Sequence, residues 1–287
     1  MPARYLGIQH GSQGGRETGC QCRDHVYSEG TLIHPSALVD EDARIGEGVR
    51  IGPFSIIGPG VEIGDGCDIA SHVVISRNTR LGKNNRVYQY ASVGEDPQDK
   101  KYAGEETWLE IGDDNVIREF ATINRGTAQD KGATRIGNDN LLMAYTHVAH
   151  DCVLGDHTIL ANAASLGGHV QIQDWAILGG FSMVHQFTRI GAHSFAAMGS
   201  AIGKDVPPFV MVSGSPAEPR GINAEGLKRR GFDATAIKLL KDAYRILYRS
   251  GIRLEEAQQK IEALCAGQSR LGILPEFLRN PARSIIR

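Results

Sequence analysis

The run IGEGVR-IGPFSI-IGPGVE-IGDGCD-IASHVV, residues 45–74, repeats with a period of six. Every block opens on isoleucine, and the next position is Gly or Ala. Counting outward, the phase begins at Ile33 and Val39 and runs through Ile75, Leu81 and Val87 to Val93. It resumes at Ile111, Ile117 and Ile123, and again at Ile136. From there to Ile202 every sixth residue is Ile, Leu or Val, apart from Ala196. A period of six fits neither an amphipathic helix nor a two-sided strand, whose side chains repeat at 3.6 and 2.0 residues. It fits short strands joined by tight corners, each hexad supplying one inward aliphatic and one small corner residue. Helix is also opposed by propensity, since recurring Gly with Ile and Val forms helix poorly.

Three hexads close a triangular coil of 18 residues, which stacks residue i under i+18 at about 4.8 Å, the usual spacing between paired strands. The expected fold is therefore mainly β, a parallel β-helix shaped as a triangular prism. These hexads resemble those of the hexapeptide-repeat acyltransferases, and that resemblance, not the period, supplies a left-handed coil. A solenoid serving only as a scaffold also fits the repeat.

Two stretches, 94–110 and 124–135, break the phase and are expected to project as loops, where binding chemistry tends to sit on a rigid repeat. The β-helix is expected over 31–213. Pro207, Pro208 and Pro216 end it, and 214–287 is expected to form a small α-helical domain covering the open end. Ile237, Leu240, Tyr244 and Leu247 follow helical spacing up to Gly251, and Leu254, Ala257, Ile261 and Leu264 form a second stripe up to Gly267. Residues 1–30, polar and without periodicity, read as a disordered leader.

The net charge is −2 over 287 residues, so no global field favours nucleic acid or an anionic membrane. No apolar run is long enough to span a bilayer or to serve as a signal peptide, so no membrane insertion is expected. Five scattered cysteines form no disulfide framework and suit a reducing, cytoplasmic setting. Cys20 and Cys22 form a lone C-x-C, short of the four ligands a structural zinc needs, and no metal or cofactor is expected.

Six of the ten histidines lie between His147 and His193. The 18-residue coil puts His150, Gly168 and Gln186 in one column, with His169 and His185 each one residue from it and His147 on the same coil as His150. Imidazole titrates near neutrality and suits a general base. A stacked glycine leaves a bare backbone N–H beside it, a donor for the oxyanion of acyl transfer.

The stretches Asn140–Met143, His147–Cys152, Gly168–Val170, Val184–Phe187 and Gly226–Phe232 resemble motifs of the UDP-N-acetylglucosamine O-acyltransferases, and the likeness runs from Ile33 to about Arg249. This resemblance implies transfer of a 3-hydroxyacyl chain from acyl carrier protein to the sugar 3-hydroxyl, the first step of lipid A synthesis, by a homotrimer. The acyl chain arrives as a phosphopantetheine thioester, a co-substrate. The resemblance makes His150 the base, Gly168 the oxyanion donor and Asp151 the partner that orients His150. Adjacent strand residues point to opposite faces, so that pairing requires a corner. It also implies substrate binding by Asp99, Lys101, His147, His169, His185 and Gln186, with Asn223, Glu225, Arg229 and Arg230 toward the nucleotide, mostly across a subunit boundary. The basic run 228–230 suits anionic UDP and an anionic carrier surface.

Two positions depart from the family pattern. Asn124 stands where some members carry histidine, and an amide cannot titrate. Met198 stands where long-chain members carry glycine, which implies a shorter chain of about ten carbons if its bulk enters the acyl groove. The sequence leaves the 3-hydroxyl and the 3-amino sugar both open as acceptors. The related N-acyltransferases carry a uridine-binding domain before the helix, and γ-type carbonic anhydrases use a His-x4-His zinc spacing; neither pattern fits His147-x2-His150 after a short polar leader.

Overall fold

The computed structural model describes residues 30–279 and 284–287. The leader and its C-x-C therefore lie almost wholly outside the described residues. Among the latter, the strands form three sheets of eleven, nine and eight members, one on each face of a prism. All ladders are parallel except the last in the eleven-stranded face. The coil is a left-handed β-helix.

Register follows the hexads. Ile33 pairs with Ile51, Val148 with Leu166 and Ile172 with Ile190, each 18 residues on. The aliphatic that opens each hexad points inward, and from Ile51 to Ile202 these side chains form one continuous buried core. Each such burial stabilises by about 1.5–3 kcal/mol. Val39 and Ile45, near the first coil, are only partly buried. Corners turn at positive φ, adopted in one column by Asp151, His169 and Phe187 and in another by His157, Trp175 and His193.

The two breaks appear as register jumps. Val87 pairs with Ile117 and Ile117 with Leu142, 30 and 25 residues on instead of 18. The projecting segments are shorter than the expected 94–110 and 124–135. Strands Ser92–Glu95 and Trp108–Ile111 bracket the first, and Thr122–Asn124 and Ala133–Ile136 the second. The reason is pairing: Trp108–Ile111 lies between two ladder partners, which hold its backbone despite the lost hexad phase.

The boundary placed at 213/214 also moves. Strand Glu218–Ile222 folds back antiparallel on Val210–Ser213, so the eleven-stranded face runs into the segment expected to be helical. Beyond it lie helices α1 (Ala224–Arg229), α2 (Ala234–Arg249), α3 (Leu254–Cys265) and α4 (Ile273–Arg279). Asp233 caps α2 by accepting from Ala236 N–H at 2.7 Å. Ile237, Leu240 and Leu247 pack with Ala257 and Ile261 in a second core, while Tyr244 packs against the first and Tyr248 against both. No described helix is long and apolar enough to cross a membrane.

Candidate active site

His147–Val148 is a strand, and the chain then turns a corner at Asp151, whose φ is 59°. This turn supplies the corner the sequence demanded. His150 Nδ1 lies 2.8 Å from Asp151 Oδ2, with the histidine side chain 14% exposed and the aspartate fully buried. Thr127 donates twice to that carboxylate, from N–H to Oδ1 at 2.9 Å and from the hydroxyl to Oδ2 at 2.7 Å. Thr134 Oγ1 accepts from the Asp151 N–H at 2.8 Å. Burial pushes the Asp151 pKa up, but the hydrogen bonds from His150 and Thr127 and the nearby His169 outweigh it and leave the group below its ordinary value. An ionised carboxylate only accepts, so it takes the Nδ1–H of His150 and, in the neutral ring, leaves the lone pair on Nε2.

Gly168 lies one coil away, against the His150 ring. A Cβ there would come within 2.7 Å of His150 Cε1 and 2.8 Å of Nε2. Only glycine leaves the imidazole room. Among the described residues the Gly168 N–H has no hydrogen-bond acceptor. The ring of His169 meets His150 edge-on at 5.1 Å and stacks on Phe187 at 4.3 Å. Its Nδ1 lies 2.8 Å from Asp130 Oδ2.

These groups open into a cleft of about 1180 Å³ whose walls include Asp99, Lys101, Asp130, His150, His169 and Gln186. The two loops thus converge on the histidine corner. Asp99 Oδ1 accepts from Lys101 N–H at 3.0 Å and shapes the first loop. Arg125, buried at the root of the second, holds the first through Gly94 O, Asp96 and Tyr102 Oη. Sequence reading missed Arg125, Thr127, Asp130 and Thr134. They lie in or beside an insertion, where column arithmetic assigns no neighbours. His150, Asp151 and His169 bring ligand-type atoms within 4.8 Å of one another, but both Nδ1 atoms already face carboxylates.

The other expected site residues do not line this cleft. His147 sits in a strand with Nδ1 2.8 Å from Thr122 Oγ1, and its pKa is lowered by burial and then by His150. His185 is exposed, with Nδ1 3.0 Å from Gln186 O. Asn124 is buried and donates to Asp96 O at 2.8 Å, a bond between the two loops. Asn223 caps α1 and donates to His193 O at 3.1 Å. Arg230 lies over Trp175 and 3.3 Å from His193 Nδ1. Glu225 pairs with Lys228, and Arg229 is exposed. His193 belongs to a different edge of the prism from His150. Met198, 76% exposed, stands beside Gly199 on the third edge, which also carries Tyr145 and Phe181. One chain therefore distributes the expected residues over three edges.

A hexad solenoid carrying an imidazole–carboxylate corner beside a bare N–H defines an acyltransferase of the hexapeptide-repeat class. Residues 42–77 and 133–168 match the bacterial transferase hexapeptide, six repeats, and 205–286 match the second domain of UDP-N-acetylglucosamine O-acyltransferase. The acyl-[acyl-carrier-protein]–UDP-N-acetylglucosamine O-acyltransferases of Thiobacillus denitrificans and Psychromonas ingrahamii are 56% and 60% identical over 203 residues, 71% of this chain and 79% and 78% of theirs. The crystal structure of the UDP-N-acetylglucosamine O-acyltransferase from Moraxella catarrhalis is 47% identical, with a TM-score of 0.87 over 89% of this chain and 99% of that one. The Francisella novicida UDP-N-acetylglucosamine acyltransferase is 44% identical, with the same TM-score over 89% and 94%. The chain belongs to the acyl-[acyl-carrier-protein]–UDP-N-acetylglucosamine O-acyltransferase family.

Proposed function

We propose that this protein transfers a 3-hydroxyacyl chain from acyl carrier protein to the 3-hydroxyl of UDP-N-acetylglucosamine, with His150 as general base. The observation that carries this reading is the His150–Asp151–Thr127 chain beside the Gly168 N–H. Asp151 holds Nδ1–H, so Nε2 takes the proton of the sugar hydroxyl as its oxygen attacks the thioester carbon. The carbonyl oxygen becomes an oxyanion, which the unpartnered Gly168 N–H accommodates. Collapse breaks the C–S bond, and the proton on Nε2 passes to the departing phosphopantetheine thiolate. The ester and the free carrier thiol are the products, and no cofactor enters the balance. Asp99, Lys101, His169 and Gln186 line the substrate cleft, with His147 and His185 flanking it.

In this reading the enzyme is a cytoplasmic homotrimer, and Asn223, Glu225, Arg229 and Arg230 of one subunit complete the nucleotide end of a neighbour's cleft. The faces of the prism support such an assembly. The eight-stranded face is laced with Arg–Glu pairs such as Arg44–Glu62, Arg80–Glu62 and Arg135–Glu110. The other two expose Leu32, Leu38, Ile56 and Met183 on either side of a column of ring contacts from Phe54 through His72, Tyr90 and Phe120 to Tyr145. An apolar edge of that kind fits burial about a threefold axis. Met198 sits on the same edge and shortens the acyl groove to about ten carbons. The test is turnover with 3-hydroxyacyl carriers and either UDP-N-acetylglucosamine or its 3-amino analogue. An ester on the hydroxyl sugar supports the proposal, whereas amide formation on the amino sugar alone would replace it.

A further inference from the structure

We propose that Asp130 is a positioning residue that fixes the ring tautomer of His169, giving the cleft a second oriented imidazole beside the general base; this rests on the acyl-transfer reading above. Three contacts bear on the His169 ring. Phe187 stacks on one face at 4.3 Å and 8°, His150 meets it edge-on at 5.1 Å, and Asp130 Oδ2 lies 2.8 Å from Nδ1. The second carboxylate in reach, Asp151 Oδ2, lies 3.9 Å from the same Nδ1 and is already engaged by Thr127 and His150. Asp130 is therefore the acceptor. A carboxylate accepts and does not donate, so it selects the Nδ1–H form and leaves Nε2 as the ring atom available to a ligand.

The donor and acceptor lie 39 residues apart, so the pairing exists only because the second loop folds back onto the histidine corner. Thr127, three residues earlier on that loop, makes the corresponding contact to Asp151. The inserted segment thus serves both imidazoles, one through Asp151 and the other directly. His169 Nε2 then accepts a hydrogen bond from a hydroxyl or amide N–H of the bound sugar, and the contact orients the acceptor without joining the proton transfer.

The experiment uses the full-length protein labelled with ¹⁵N-histidine, with His169→Gln to assign the His169 resonances. In the wild type the neutral His169 ring is expected as the Nδ1–H tautomer, and Asp130→Ala is expected to shift it toward Nε2–H. Asp130→Asn, which keeps an acceptor oxygen, is expected to retain the wild-type form. In steady-state kinetics Asp130→Ala should raise KM for UDP-N-acetylglucosamine about fivefold to tenfold with a smaller change in kcat, the size expected of a partly exposed charge-assisted contact. An unchanged tautomer, or an unchanged KM, in Asp130→Ala overturns the proposal. Undiminished turnover in His150→Ala would instead sink the general-base reading and leave the tautomer measurement intact.

Discussion

Gly168 is the residue whose replacement separates site from scaffold most cleanly. Its Cβ would lie 2.7 Å from His150 Cε1, so Gly168→Ala must displace the imidazole or the corner that carries it. The backbone N–H remains, so the loss is that of a misplaced base: turnover should fall by about a hundredfold or more, with thermal unfolding changed little. His193 gives a pH signature at the same scale. Burial, then the charges of Arg230 and Arg270, lower its pKa from 6.5 to about 4. The unfolded chain therefore binds a proton near pH 6.5 that the folded chain refuses until about 4. The His193 contribution to stability is complete above that window and is lost as pH falls through it. Denaturant midpoints measured across the window should flatten in His193→Phe, which keeps the stacking and removes the titration.

At the scale of elements, each hexad aliphatic closes one side of a coil, and the coils above and below confine it. Leu160 is fully buried between Leu142 and Leu178. Leu160→Ala should cost about 2–5 kcal/mol, read as a lower denaturant midpoint. These positions were legible in the sequence because the period of six is strict wherever a strand meets a corner. The column of His150, Gly168 and Gln186 followed from the same arithmetic. The four missed residues were not legible because the two insertions shift the register to 30 and 25 residues, and spacing then names no neighbour. Thr127 reaches Asp151 and Arg125 reaches Gly94 through loop folding that leaves no periodic trace. The return strand Glu218–Ile222 was hidden for a related reason. It follows Pro216 and contains Pro219 and Gly221, a composition that reads as turn, and only the ladder with Val210–Ser213 makes it a strand.

At the scale of the molecule, the cleft on one edge, the Arg230 group on a second and Met198 on the third suit an assembly in which edges of different subunits meet. Light scattering should return about three times the 31.1 kDa of one chain. Met198→Gly should move the preferred acyl donor to longer chains, read as the ratio of kcat/KM across 3-hydroxyacyl carriers of increasing length. An unchanged ratio would place Met198 outside the acyl groove.

The most direct test of the central claim compares the wild type with His150→Ala in formation of the 3-O-acyl ester from UDP-N-acetylglucosamine and a 3-hydroxyacyl carrier protein. The dyad geometry predicts that the variant folds and assembles as the wild type does while its kcat falls by about a hundredfold to ten-thousandfold, the usual reach of general-base catalysis. A correctly assembled His150→Ala protein that still makes the ester at the wild-type rate would contradict it.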